Sequence, residues 1–460
     1  MSKKKILIAA LIFIFVFIIY QASPIKEGTD TIWQIYVSMS FVKDHNLNLD
    51  EYRNLLDMDY KVQEINGHIY SYFPIGTPLI AAPLTYLENR FIPAKNGKSL
   101  SNYLSKNIPD SYTTDLAKLD ASIIVALAIA LFFLIATEEL DLFRSVFITL
   151  IFALGTSAWS TASRGLWQHG PSLLMLTCCL YLAVLAKHKP WLISFAGIPL
   201  AFSYIIRPTN SISIVVFSIF IFLKYRKYFI PYAFGLTLIL GSLVYYNLSI
   251  YGTILSPYYA ASRLGGQSFL LDALAGNLIS PGRGLLIWSP IFILIGSQIF
   301  RIIKNISSAS LEFCALMIIL AHWGAISLFN QWATGWFLGP RFFTDLTPYL
   351  IFLMIPIIKG FLPDRARLNL SSSFLILLTL ISVFIQFRCS VYIEPSRWSG
   401  IPRNVDEYPE RIWDIMDIQF LRGMCANPND PAPKCWLPQE IGIHSTNPLM
   451  TFSNRDKSGN

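Results

Sequence analysis

Apolar runs separated by short polar joints set the pattern of the whole chain. They fall at about Ile6–Tyr20, Leu119–Thr137, Ser145–Trp159, Pro171–Ala186, Trp191–Ile206, Ser211–Leu223, Tyr228–Ile250, Gly284–Phe300, Phe313–Phe329, Phe343–Ile358 and Ser372–Phe387. Each is near the length of a bilayer-crossing helix, the shorter ones borrowing flanking residues, so the pattern predicts about eleven transmembrane helices. The first follows "MSKKK" with no clear small-residue cleavage site after it, which reads as an uncleaved helix. Two further stretches break the pattern between the first two runs. "TDTIWQIYVSMSFVKD" spaces Ile32, Trp33, Ile35, Tyr36 and Met39 as a helix lying in the interface plane would. "HIYSYFPIGTPLIAAPLTYL" is interrupted by Pro74, Pro78 and Pro83, which favours a re-entrant or surface-lying piece over another span.

Composition supports the same class. Only 14% of the 460 residues are charged, against about 25% in soluble domains, while 54% are hydrophobic and 14% aromatic. The net charge of +8 raises nucleic acid as a partner. The cations, however, sit in short clusters between apolar runs and form no basic stripe, so nucleic-acid binding is set aside. With Lys3, Lys4 and Lys5 inside, every second joint is also basic: Arg144; Lys187 and Lys189; Lys224, Arg226 and Lys227; Arg301 and Lys304; Lys359, Arg365 and Arg367. That alternation predicts a cytoplasmic N-terminus and an extracytoplasmic C-terminus. The outer side then receives a first loop of about residues 23–118, a loop of about 251–283, and a Pro-rich tail, 389–460, following a membrane module of 1–388. Cys178, Cys179 and Cys314 lie in apolar runs as buried thiols, and Cys425 and Cys435 flank a short loop that a disulfide would suit in an oxidising compartment.

Chemistry gathers on the outer joints. Arg164, Arg207, Arg283 and Arg341 each stand at an outer helix end beside Gly, Pro, Trp, Asn or His, against the orientation rule. Singly, each reads equally well as an arginine snorkelling to headgroups. Four on one face favour a shared anionic partner, and a lipid phosphate suits the planar guanidinium fork at that depth. Two carboxylates, Glu27 and Asp30, occupy the point where the first helix leaves the membrane, a costly place unless solvated or paired. Attack by a hydroxyl on an activated sugar needs a base for its proton and positive charge on the departing phosphate. Asp30 is the candidate base, and Glu27, one turn earlier if the helix continues, shares or orients it. His169, Trp167, Trp336 and Asp345 are candidate substrate contacts, the tryptophans being equally suited to an interface belt. No HExxH, DxD or CxxC pattern supports a tight metal site, so no metal ligand is assigned; a divalent cation remains compatible, with Asp30, Glu27 and Asp345 as candidate ligands. Ionisable residues avoid the span centres, and no internal repeat is visible, which weighs against a transporter.

The stretches "YSYFPIGTPL", "WSTASRGLWQHGP", "RPTN", "NLISPGRGLLIWSP", "GPRFFTDLTP" and "DEYPERIWDIMDIQFLR", spread from about Asp30 to Arg422, resemble the GT-C superfamily of membrane glycosyltransferases. That superfamily includes protein O-mannosyltransferases, aminoarabinose transferases and the oligosaccharyltransferase catalytic subunit. The resemblance implies an all-α polytopic bundle with a long first outer loop, a polyprenyl-phosphate-linked sugar donor, and an acidic catalytic residue in that loop, here Asp30. It also implies an acceptor that is a glycan, lipid or protein, a place in the bacterial inner membrane among its lipids, and a role in cell-envelope glycan assembly. Where the superfamily commonly has two adjacent acids, this chain has E-x-x-D, which leaves the division of roles between Glu27 and Asp30 open. A flippase for a lipid-linked sugar, and a polymerase or ligase using a polyprenyl-diphosphate donor, stand as alternatives.

Overall fold

The computed structural model describes residues 2–56, 60–95, 97, 99–259, 270–304, 310–362 and 369–424. Among the described residues the regular structure is helical apart from one hairpin, and every predicted apolar run contains helix. Among the same residues five stretches are long and apolar enough to cross a membrane: Lys3–Ala22 (α1), Ser111–Ala136 (α5), Arg226–Tyr251, Arg341–Phe361 and Leu370–Val391. The remaining runs form shorter apolar helices, so the length criterion is met at fewer places than the about eleven expected from hydropathy.

Burial explains the difference in character among these helices. In α1 only Ala9, Ile12, Val16 and Tyr20 are buried, one narrow stripe against α5, while Leu7, Leu11, Phe15 and Ile18 lie exposed. A helix apolar on every side with one thin packed seam is suited to lipid around the rest. By contrast α5 (Ser111–Ala136), started by an Asp110–Thr113 capping box, and α15 (Thr347–Phe361) are buried along most of their length and form the centre of the bundle. Around them pack α6 (Leu142–Leu154), α7 (His169–Leu185), α8 (Gly197–Ile206), α9 (Ser211–Lys224), α10 (Phe229–Tyr251), α14 (Leu311–Ser327) and α16 (Leu370–Val391).

The two ends of the bundle differ. At one, Lys5 donates to Thr137 O at 2.9 Å and Lys187 pairs with Glu139, gathering the start of α1 with the ends of α5 and α7. At the other, which we term the site end, α1 stops and α5 and α7 begin. Here the connection between α1 and α5 builds a small core of its own from Trp33, Tyr36, Tyr52, Val62 and Ile69, closed by Leu116 of α5 and Leu166. It contains α2 (Gln34–Asp44), an antiparallel hairpin of β1 (Val62–Ile65) and β2 (His68–Ser71), α3 (Gly76–Phe91) and α4 (Leu100–Leu104). The stretch expected to lie in the membrane interface is α2, but residues 34–40 are all buried by protein, chiefly against α3. The apolar stretch expected to be re-entrant is α3, with Pro83 inside a 16-residue helix. In the second expected loop, residues 270–279 form a short apolar helix, α11.

After α16 the chain does not trail away. Residues 394–424, beginning with α17 (Glu394–Arg397), pack back on the site end through Trp398, Val405 and Ile412, which share a core with Ala273, Trp332 and Ala333. Asp417 fixes this cap by accepting from Arg411 at 2.7 Å and Arg422 at 2.6 Å. The remainder of the expected tail, with Cys425 and Cys435, lies outside the described residues, as do Arg365 and Arg367.

Candidate active site

Helix α1 ends at Ala22 with Ser23 as its cap, and residues 24–28 run without helical structure. Glu27 and Asp30 are therefore not one helical turn apart on a continuing span. The stop is local: Pro24 holds Ser23 in an extended conformation, and Lys118 of α5 then donates its ammonium to the carbonyls of Gln21 and Ser23, a cation at the carbonyl end of α1. The chain then meets residues 163–168, where Glu27 N donates to Arg164 O at 3.0 Å. Gly165 makes this approach possible, because a Cβ there would lie 2.5 Å from Glu27 O. Just before, α6 gives way to a π-helical turn over Ala158–Ala162, and Ser160, Thr161 and Arg164 emerge from this stretch.

These segments line an open cavity of about 370 Å³, counting the solvent space at its mouth. Glu27, Arg164, Trp167, Trp336 and Arg341 line it, together with Ser160, Thr161 and Ser396. Arg164 is 6% exposed, with Nη1 donating to Ser160 O at 3.2 Å and Nη2 to Ser396 Oγ at 3.3 Å, while its Nε is unpartnered. Burial lowers the Arg164 pKa from its ordinary value, and the charge of Glu27 opposes that. The Arg341 side chain makes no hydrogen bond or ion pair among the described residues. Its guanidinium lies over aromatic rings instead, 4.3 Å from the centroids of Trp167 and of Phe337. Trp336 is 48% exposed and is held at its edge by Nε1 donating to Asn404 of the cap at 3.2 Å. Glu27 accepts from Thr29 Oγ1 at 2.9 Å. Asp30 stands outside the lining, half-buried, with Tyr60 Oη donating to Oδ1 at 2.8 Å; after burial its charge is the strongest influence on Arg341.

The remaining expected site residues are elsewhere. Arg207, at the end of α8, pairs through Nε with Asp345 Oδ2 at 2.8 Å, and His169 Nδ1 is 3.4 Å from the same oxygen. All three are buried and none lines the cavity. Arg283 is 1% exposed and spends its donors on protein: Ala333 O, Phe337 O, Gln419 Oε1 and Gly335 O, at 2.8–3.3 Å. Its role in the structure is to tie the 332–339 loop to the cap. Trp167 links the two groups, stacking on His169 with centroids 6.1 Å apart and an interplanar angle of 21°.

Four polar residues escaped the sequence reading. His322 lies within α14, fully buried, so an ionisable group does sit inside an apolar run. Lys118, Glu88 and Asp120 are buried beneath the first long connection. The signal for each was present: an ionisable residue in or beside an apolar run needs a partner. Among the described residues no three His, Cys, Asp or Glu gather as a metal site would require, and Asp345, one of the candidate ligands, is held by Arg207 away from Glu27.

No family model matches the chain, and no curated protein matches it. One solved structure it is similar to is the apo crystal structure of the oligosaccharyltransferase from Archaeoglobus fulgidus, at 12% identity and a TM-score of 0.47, covering 96% of this chain and 62% of that one. The chain thus spans less than two thirds of that protein's length. That degree of likeness transfers no residue role to this chain.

Proposed function

We propose that the chain is a membrane glycosyltransferase of GT-C type that moves a sugar from a polyprenyl-phosphate carrier to a glycan, lipid or protein acceptor. The site end faces the extracytoplasmic side of a bacterial inner membrane, as the basic joints at the opposite end favour. The observation that carries the reading is one cavity walled by a carboxylate, two guanidinium groups and two indole rings.

Glu27 takes the proton of the acceptor hydroxyl as its oxygen bonds to the anomeric carbon. The bond from that carbon to the carrier phosphate breaks, and the phosphate leaves with the electron pair. Arg341, whose side-chain donors have no partner among the described residues, and Arg164 stabilise the charge developing on that oxygen. Trp167 and Trp336 supply faces for the sugar ring or the first isoprene units. Asp30, whose charge acts on Arg341 and whose carboxyl is held by Tyr60, keeps the base and the guanidinium in register. Arg207, Arg283, His169 and Asp345 support the site from behind. No step needs a metal, although Glu27 and Asp30 leave room for a cation at the rim.

The test is turnover of full-length protein in nanodiscs, supplied with polyprenyl-phosphate sugars and scored by mass spectrometry for a new glycosidic bond. Glu27→Gln is expected to lower the rate by about 10²–10⁴-fold, the usual worth of a general base, and Asp30→Asn by less. Undiminished transfer by Glu27→Gln removes it from the mechanism. Translocation of the donor without any new bond replaces the enzyme with a flippase.

A further inference from the structure

Away from the cavity, two carboxylic acids are buried against each other with nothing to neutralise them. Glu88, in the last turns of α3, is 4% exposed, and Asp120 of α5 is fully buried. All four carboxyl oxygens lack a hydrogen-bond donor. The two side chains are within hydrogen-bonding reach of each other, which makes a bond only when one of them carries a proton. Two ionised carboxylates in this position would combine like-charge repulsion with desolvation of both.

No other charge intervenes. Lys43 and Asp44 of α2, Arg90 of α3, Tyr103 of α4, His169 of α7 and Tyr204 of α8 exert no resolved influence on either carboxyl. Tyr112 at the start of α5 feels the charge of Glu88. Lys118, two residues before Asp120, has its ammonium committed to the end of α1. The partner of each acid is therefore the other acid.

The position of the pair gives it leverage. Helix α3 is held to the bundle at its other end by Gly76, whose absent Cβ would lie 2.5 Å from Ile206 N, immediately before Arg207. Its middle is held to α2 by Ser38 and Thr85, hydroxyl to hydroxyl at 2.8 Å. The Glu88–Asp120 contact joins its final turns to α5. That same stretch of α5 carries Lys118, which fixes the chain leading to Glu27.

We propose that Glu88 and Asp120 share one proton and form a pH-sensitive latch between α3 and α5. Burial pushes the Glu88 carboxyl up from its ordinary 4.5 to about 8. The folded state then holds this proton over a range in which the unfolded chain has released it. Stability is fully present below the ordinary value and is lost as pH rises through about 8. Passing that pH removes the first of the two protons and leaves one shared between the acids; only at more alkaline pH is the pair doubly charged, a state that separation of α3 from α5 relieves.

Infrared difference spectra of the full-length protein in nanodiscs, taken from about pH 6 to about pH 10, test this alongside thermal unfolding and amide exchange of α3. The wild type is expected to show a protonated-carboxyl stretch that begins to weaken near about 8 and is lost at more alkaline pH, with the melting temperature and α3 protection falling over the same interval. Glu88→Gln, nearly isosteric, and Asp120→Asn each leave one buried acid that loses its proton in a single step, and are expected to flatten the alkaline fall. Failure of the wild type to show the band overturns the proposal, as does an alkaline fall undiminished in both variants. A melting temperature raised by added sodium or calcium, with both carboxyls ionised at pH 6, would assign the pair to a cation and also overturn it. None of these readouts depends on glycosyl transfer, so the latch and the proposed enzyme activity fail separately.

Discussion

Arg207 and Arg341 occupy the same end of the bundle and carry the same sequence signature, yet the fold treats them oppositely. Arg207 faces a buried carboxylate at 2.8 Å, and Arg283 behaves like it, its donors taken by four protein acceptors. Arg341 meets only aromatic faces, and Arg164 only a carbonyl and a hydroxyl. A buried guanidinium matched by protein acceptors serves the fold, because its charge is already compensated. One whose donors are unspent beside a cavity can receive an anion that arrives later. The difference divides the site end into a closed half, Arg207–Asp345–His169 with His322 nearby, and an open half around Glu27.

The largest effect should come from breaking the closed half. Asp345→Ala leaves Arg207 buried without its counter-charge, and removal of one partner of such a pair costs about 3–5 kcal/mol. Reversible unfolding of the purified protein in detergent measures this. A loss below about 1 kcal/mol would mean that water or lipid reaches Arg207, and the division into halves would fail.

Arg341→Ala should show the reverse profile. Its transfer rate should fall by about 10²–10³-fold, or about 2.7–4 kcal/mol, the range for removing one donor to a developing anion. Stability should fall by less than in Asp345→Ala, since Arg341 loses its ring contacts and the nearby charge of Asp30 but leaves no buried carboxylate without its ion pair. Arg341→Lys retains a charge but not a fork, and should recover part of the rate. Equal losses of rate and stability in Arg341→Ala would place this residue with Arg207.

Much of the fold was legible and the division was not. The apolar runs predicted where helix forms, because periodicity and length are local properties of the sequence. The outer helix ends were found to concentrate arginine, tryptophan and acid for the same reason. Which arginine meets which acid depends on partners distant in sequence. Asp345 was visible beside Arg341 in "GPRFFTDLTP" but pairs with Arg207. The helical turn assumed between Glu27 and Asp30 failed because Pro24 ends α1 at Ser23, a local signal that the sequence did carry, while the Lys118 that seals the helix end lies far along the chain. Burial of α2 likewise depended on the helix α3 that packs over it.

Gly165 tests how closely Glu27 must be placed. A methyl group there meets the Glu27 carbonyl, which is backbone and cannot swing aside as a side-chain tip would. Gly165→Ala should therefore cost about 1–3 kcal/mol by overpacking, displacing Glu27 from the cavity while leaving the Arg207–Asp345 pair intact. Its mark would be a fall in kcat at an unchanged extent of donor binding. A variant with normal kcat would show that the base tolerates movement of its backbone.

The smallest expected effect lies at the boundary between the halves. Trp167 stacks on His169 of the closed cluster and also receives Arg341 of the open one. Its contact with the guanidinium is worth about 0.5–2 kcal/mol, depending on how dry the site is. If the halves are independent, Trp167→Leu and His169→Gln should add in their effect on transfer to within about 0.3–0.5 kcal/mol. If the closed cluster positions Arg341 through the indole, the double variant should lose less than the sum, with a coupling of about 0.5–1 kcal/mol. We expect the coupling, because Trp167 contacts both the His169 ring and the Arg341 guanidinium, and loss of either lets it turn. The same cycle run on stability should show the coupling more weakly, since Arg341 contributes to the reaction more than to the fold.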